Sequence, residues 1–393
     1  MKRRLFLFCI CIFIFLFSRS QDSCNLQISL LTCGPGEELY STFGHTAIRV
    51  HELSSGNDYV FNYGTFEFGP DFYTKFMNGS LLYFLSVEDF NSFLQEYQME
   101  SRTVQEQILQ MNCKEKIRLL NELKLNAQPQ NRYYRYDFLY DNCTTRAKNM
   151  IIKNADTSVA FKNILPPAIP TFRQLIHLYL NAKKEYWSKL GIDILLGANI
   201  DKKVTNEQAM FLPDYLLNGF NQAKEGKHAL VSKASTILAM PVVASTSPLF
   251  SPIVIFTIIL FIIILLSGLR TQWTERILTI FDLIFFCLLG TAGILILLMW
   301  IGRVDTVCRN NFNILWALPT NFLIVFIAYK KSHWINLYFR IVFGISILLL
   351  ITWFFLPQQM NNALLPVVML TVLRSWKYSK SNQHGAQNHL VSK

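Results

Sequence analysis

The sequence predicts a two-part fold: an α+β domain followed by an all-α domain of five membrane-crossing helices. Three observations predict it. A basic start, Met1-Lys2-Arg3-Arg4, leads into an apolar run from Leu5 to Phe17 and then Ser18-Arg19-Ser20, the three-part pattern of a secretory signal peptide. Between about residues 21 and 235, short alternating runs mix with turn residues and helical stretches. From about residue 252 onward come five apolar segments joined by short polar loops.

The signal-like run is too short to span a bilayer comfortably, so cleavage near Ser20 is expected, and the chain beyond it belongs outside the cytoplasm. Cys24 is no lipidation site, because Ser20-Gln21-Asp22-Ser23 before it is too polar. In the first domain Gln27 to Leu31 reads as a strand and Cys33-Gly34-Pro35-Gly36 as a turn. Thr46 to His51 and Tyr59 to Phe68 alternate as strands about a Ser54-Ser55-Gly56-Asn57 hairpin. Val87 to Tyr97, Cys113 to Leu125 and Asn142 to Ile152 read as helices. Residues 156 to 235 are more helical, with Pro166-Pro167 and Pro170 as loop signals. Pro241, Pro248 and Pro252 mark a linker. The expected boundaries are a signal peptide over 1–20, a periplasmic domain over 21–235, a linker over 236–251, a membrane domain over 252–374 and a cytoplasmic tail over 375–393.

The five apolar segments run roughly Ile253–Ser267, Ile277–Met299, Phe312–Ala328, Ile341–Phe355 and Ala363–Leu373. If the first enters from outside, the inner loops hold Arg270 and Arg276, then Lys330 and Lys331, then Arg374, Lys377 and Lys380. The outer loops hold Arg303 and Arg309 with Asp305, and the uncharged stretch from Gln358 to Asn362. That bias fits the positive-inside rule with an outside amino-terminal domain. It also accounts for the net charge of +11 as a matter of topology and anionic lipid, so no nucleic-acid partner is expected.

Eight cysteines divide unevenly. Cys9 and Cys11 leave with the signal, and Cys287 lies in a membrane helix. Cys24, Cys33, Cys113, Cys143 and Cys308 face an oxidising or variable compartment, and an odd set leaves at least one free thiol. Cys143 follows Asp141 and Asn142, both good N-caps, and opens a helical run. A thiolate there gains from the unpaired N–H groups and dipole of the helix start, and the same groups can bond an oxyanion. His45 opens a strand after a glycine turn, where an imidazole can take and return a proton. An orienting partner is Asn62 or His51, with Asn62 preferred. Cys33 is the rival nucleophile, and a disulfide from Cys143 to Cys113 or Cys33 is the non-catalytic alternative. Glu38 reads as a solvated turn residue, and Ala209 to Leu217 as core or as the lining of a lipid groove. Asp193 and Asp201 have no assigned role. Asn310, Asn311 and Asn313 head the third span as interfacial anchors or substrate-access groups. No metal or other cofactor is expected: His45 and His51 lack partners at ligand spacing, and no Gly-rich phosphate loop precedes a helix.

The stretches Leu30 to Ser41, Phe43-Gly44-His45, Phe61-Asn62-Tyr63-Gly64 and Tyr136 to Thr144 resemble the Lnb family of Bacteroidetes. That resemblance implies a periplasmic domain joined to a five-helix membrane domain in the bacterial inner membrane. It implies lipoprotein N-acyltransferase activity, moving an acyl chain from a phospholipid to the amino-terminal cysteine of a diacylated lipoprotein. The order of histidine first, then Asn142-Cys143 at a helix start, is also distantly similar to permuted papain-like enzymes such as lecithin:retinol acyltransferase. There a glutamate-histidine pair often follows Asn-Cys, and here Thr144-Thr145 stands instead. The expectation is therefore an acyltransferase with catalytic Cys143, His45 and Asn62. A membrane-tethered cysteine peptidase or amidase acting on cell-wall peptide, or a non-catalytic binding domain, are the alternatives.

Overall fold

A computed structural model of the protein describes residues 24–241, 250–325 and 333–380. The expected signal peptide, most of the linker, Lys330 and Lys331, and the end of the tail lie outside the described residues. The chain forms two compact units. One is built from the chain up to Glu67, Leu82–Ile164 and Asn206–Pro241; the other from Phe68–Leu81, Leu165–Thr205 and the chain from Val242 on.

The first unit is α+β. Seven strands form a sheet: β1 (Leu26–Cys33), β2 (His45–Glu52), β3 (Asn57–Thr65), β4 (Leu82–Asp89), β5 (Val104–Ile108), β6 (Tyr133–Arg135) and β10 (Ser235–Leu238), in the order β10-β5-β1-β2-β3-β4-β6. Every pairing in this sheet is antiparallel. Three two-residue strands, β7 (Val159–Ala160), β8 (Lys224–Glu225) and β9 (His228–Ala229), make a separate small sheet.

Both faces of the large sheet are apolar because alternate residues serve different cores. Ile28, Leu30, Ile48, Val50 and Phe61 pack on one face with helices α2 (Cys113–Asn126) and α3 (Cys143–Asn154). Leu31, Cys33, Ala47 and Val60 pack on the other with α1 (Phe90–Met99). Burying a side chain of this size contributes about 1.5–3 kcal/mol, so the period-2 pattern fixes which residues of β2 and β3 look toward which helix.

The helix expected from Val87 starts three residues later. Val87, Glu88 and Asp89 finish β4, and the Asp89 carboxylate then caps α1 by accepting from the N–H groups of Asn91 and Ser92 at 2.9 and 3.2 Å. Strand β3 ends at Thr65, short of the expected Phe68. The helices expected from Cys113 and Asn142 form, each opened by an asparagine capping box: Asn112 with Glu115, and Asn142 with Thr145. A disulfide joins Cys24, beside β1, to Cys113 at the start of α2. The Ala209 to Leu217 stretch is core: Ala209, Met210, Phe211, Leu212 and Leu216 are all buried.

The second unit is helical. Among the described residues, three helices are long and apolar enough to cross a membrane: α6 (Pro252–Leu269), α7 (Gln272–Gly302) and α8 (His333–Thr352). The expected third segment does not run as one helix from Phe312. A 3-10 turn, Phe312–Leu315, and a short helix, Thr320–Val325, flank Pro319, whose missing N–H prevents a continuous ladder. The fifth is α9 (Leu365–Lys380). In this unit Asp282 of α7 is buried, forked by Arg374 of α9 at 2.6 and 2.7 Å and bonded by the Tyr378 hydroxyl at 2.8 Å. Such pairing is what lets charge sit inside an apolar bundle. Two further helices belong here, α4 (Phe172–Ala182) and α5 (Tyr186–Leu195). Asn311 and Asn313 donate to the carbonyls of Ile194 and Asp193, each at 2.8 Å, so these asparagines cap the end of α5.

Candidate active site

Cys143 is the first residue of α3 and a free, half-buried thiol. Its place is fixed by the residue before it. The Asn142 side-chain oxygen accepts from Thr145 N–H at 2.8 Å, and its amide donates to the carbonyls of Phe138 and Phe211 at 2.8 and 2.9 Å. All of Asn142 is thereby spent on holding the helix start. The N–H groups of Cys143 and Thr144 lie in the first turn, where no carbonyl stands one turn earlier to receive them. Asp141 forks Arg146 at 2.7 and 2.8 Å, and the guanidinium lies 3.5 Å over the Tyr134 ring.

His45 opens β2. Gly44 before it has φ +79°, and a Cβ there would come within 2.6 Å of the Cys33 carbonyl oxygen, so the turn that aims the histidine needs glycine. By strand alternation the imidazole leaves the sheet on the α1 face, with Ala47, while Cys143 packs with the α2–α3 core. They meet because the sheet is open between them. Pairing of β2 with β3 ends at Ile48 and Phe61, and β3 shifts register between Asn62 and Thr65. Gly64 sits in that shift at φ +92°. A Cβ on it would lie 3.3 Å from the Cys143 Cβ and 3.9 Å from the His45 Cε1. Through this gap the Cys143 thiol and the His45 ring interact.

The other ring nitrogen of His45, Nε2, bonds the Asn62 side-chain oxygen. That oxygen is an acceptor because the Asn62 amide nitrogen donates to Glu88 at 3.1 Å. The histidine therefore carries its proton toward Asn62 and offers Nδ1 to the thiol. Burial pushes the Cys143 thiol up, but the His45 imidazolium, its hydrogen bond and the Thr46 backbone N–H outweigh burial and bring it down to about 7. Burial pushes His45 down, and the negative sulfur and the Cys143 and Asn62 bonds reverse that, leaving it raised. Both directions favour a thiolate–imidazolium pair near neutral pH. Tyr83 and Tyr136 stack at 4.1 Å beside the sulfur, and burial, with the sulfur's charge, raises both phenols, Tyr83 to about 12.

Of the expected site residues, the structure brings together Cys143, His45 and Asn62. His51 is at the far end of β2, six residues away, or about 20 Å at strand rise, and does not reach His45. Cys33 lies directly across from His45 in the β1–β2 pairing. It is not in a turn but ends β1, fully buried beside Phe93, Tyr97 and Val104, and burial pushes its thiol up to about 12. Burial and a raised thiol both count against it as the nucleophile. Cys113 is tied to Cys24 and Cys33 is free, so neither forms the alternative disulfide with Cys143. Glu88, Thr46 and Gly64 were not legible as site residues. Glu88 had a signal in the alternating run from Leu82, which sets it diagonal to Asn62 across the β3–β4 pair.

Family comparison agrees with the two-part layout. Residues 16–178 match the Lnb N-terminal periplasmic domain, and residues 244–384 match the Lnb transmembrane domain. No curated protein and no solved structure matches the chain.

Proposed function

Since the chain belongs to the Lnb family, and is so a membrane protein with a periplasmic region, we propose that it is a lipoprotein N-acyltransferase of the bacterial inner membrane. In this reading it crosses the membrane five times, with Cys143 on the periplasmic side. One observation carries the reading: a thiol at a helix start, brought down to about 7 by a facing imidazole whose other nitrogen is held by an amide.

The chemistry follows from that arrangement. The Cys143 thiolate attacks the ester carbonyl of a phospholipid. The oxyanion forms beside the Cys143 and Thr144 N–H groups, which are placed to bond it. Collapse breaks the ester C–O bond, and the lysophospholipid oxygen takes the His45 proton as it leaves. An acyl-thioester on Cys143 remains. The α-amine of a diacylated lipoprotein then attacks the thioester and gives a proton to His45. The amide forms and the thiolate is restored. Storing the acyl group covalently lets two membrane-bound substrates visit in turn.

The test is mass spectrometry of Cys143 after incubation with phospholipid, joined to lipoprotein acyl counting in a strain that depends on this protein. The reading expects an acyl adduct on Cys143 and loss of triacylation in Cys143→Ala and His45→Ala. Retained triacylation in Cys143→Ala rejects it. Cleavage of cell-wall peptide without a lipid adduct would instead make the protein a peptidase.

A further inference from the structure

The second unit holds a cavity of about 570 Å³ lined by none of the residues named in the reaction above. His177, Asp193 and Asp201 line it, and Arg173 stands behind the two carboxylates. Arg173 is fully buried, bonded to Asp193 at 2.7 Å and to Asp201 at 2.9 Å. The His177 ring bonds the same Asp193 oxygen at 2.8 Å, and Asn361 donates to its second oxygen at 2.9 Å. Lys189, Tyr186 and Gln174 add donors and acceptors along the edge. Apolar residues at helix ends also line it: Pro252 and Ile253 at the start of α6, and Trp353 and Phe354 just after α8. Ile253 and Phe354 are exposed, at 46% and 77%. In a five-span chain these two ends fall on the same, outer side of the membrane.

A pocket that combines hydrogen-bonded carboxylates and an imidazole with exposed apolar helix ends matches an amphiphile. The volume is that of a small-molecule site, enough for a glycerol head but not for two long chains, which must leave past Ile253 and Phe354. We propose that this cavity seats the polar head of a two-chain glycerolipid. Two lipids share that chemistry: a phospholipid and a lipoprotein's diacylglyceryl-cysteine. The inference rests on the acyl-transfer reading for what the site is for, not for the binding itself.

The experiment uses the full-length protein in neutral detergent carrying Cys143→Ala, so that no acyl group is transferred. Binding of phosphatidylethanolamine, and separately of a synthetic dipalmitoylglyceryl-cysteine peptide, is measured by native mass spectrometry. Gln174→Trp fills the cavity edge from an exposed position, and Lys189→Glu reverses a charge there. Dissociation constants should rise by about tenfold or more for the lipid that sits in the cavity: for phosphatidylethanolamine if the donor sits there, for the lipopeptide if the acceptor does. Unchanged binding of both lipids in both variants, with melting temperatures unaltered, overturns the inference. The readings fail separately. A Cys143 acyl adduct in the wild type with indifferent cavity variants sinks only the lipid site. Weakened lipid binding with no adduct sinks only the acyl-transfer reading.

Discussion

His45 and His177 are both imidazoles at the edge of a buried polar cluster, one in each unit, and they are held differently. His45 is held by the amide of Asn62, and His177 by the carboxylate of Asp193. An amide orients a ring without lending it charge. Any positive charge on His45 is therefore balanced by Cys143, and burial is outweighed in both groups by the attraction between them. At His177 the carboxylate already has Arg173. Burial pushes Asp193 up, but His177 and Arg173 outweigh it and leave it lowered, so the charges close within the cluster. The comparison teaches that a buried imidazole is poised to act as a base when its charge partner is a thiol, and serves as a structural tie when its partner is a carboxylate already paired.

That contrast can be broken most sharply by removing the sulfur. Cys143→Ala should lower acyl transfer by about 10⁴-fold or more, while His177→Ala should keep it within about tenfold of wild type; lipoprotein acyl counting by mass spectrometry reads both. Equal losses would erase the distinction. His45→Ala should cost about 10³-fold, and its pH signature sharpens the point. Alkylation of Cys143 by iodoacetamide needs the thiolate. In the wild type its rate should fall as pH drops through about 7. In His45→Ala the opposing charge is gone and only the Thr46 N–H and the Thr144 hydroxyl still work against burial, so the midpoint should move up.

On the other side of the comparison, Arg173→Ala strands Asp193 and Asp201 as buried carboxylates and should destabilise the helical unit by about 3–5 kcal/mol. A thermal melt should show this without a change in Cys143 alkylation. Asn62→Ala, which frees the ring but leaves the pair intact, should cost roughly 10–10² in rate, with Glu88→Gln costing less. A loss as large as that of His45→Ala would mean that Asn62 does more than orient.

Much of the site was legible because its signals are local. A cap residue before Cys143 and a glycine before His45 are features of adjacent residues, and they place a thiol at a helix start and an imidazole at a strand start without any knowledge of the rest. Glu88 was hidden because its role depends on a strand pairing, β3 with β4, that brings together residues 26 positions apart in the sequence. His51 misled because sharing a strand face says nothing of reach: at about 3.3 Å per residue six positions are too far. Cys33 misled because a Gly-Pro-Gly neighbour suggests a turn, whereas its own residue ends a strand whose inward face is packed.

By itself the sequence determined the two-part layout, the apolar helices and the residue types at each end of the candidate pair, since hydrophobic period, caps and glycine turns act over a few residues. Only the tertiary structure decided that the candidate thiol and imidazole come from opposite faces of one sheet, that they meet through a gap beside Gly64, and that residues 165–205 fold with the membrane helices. Those outcomes turn on strand register and on long-range packing, where a shift of one residue reverses every side chain, and no local pattern carries that information.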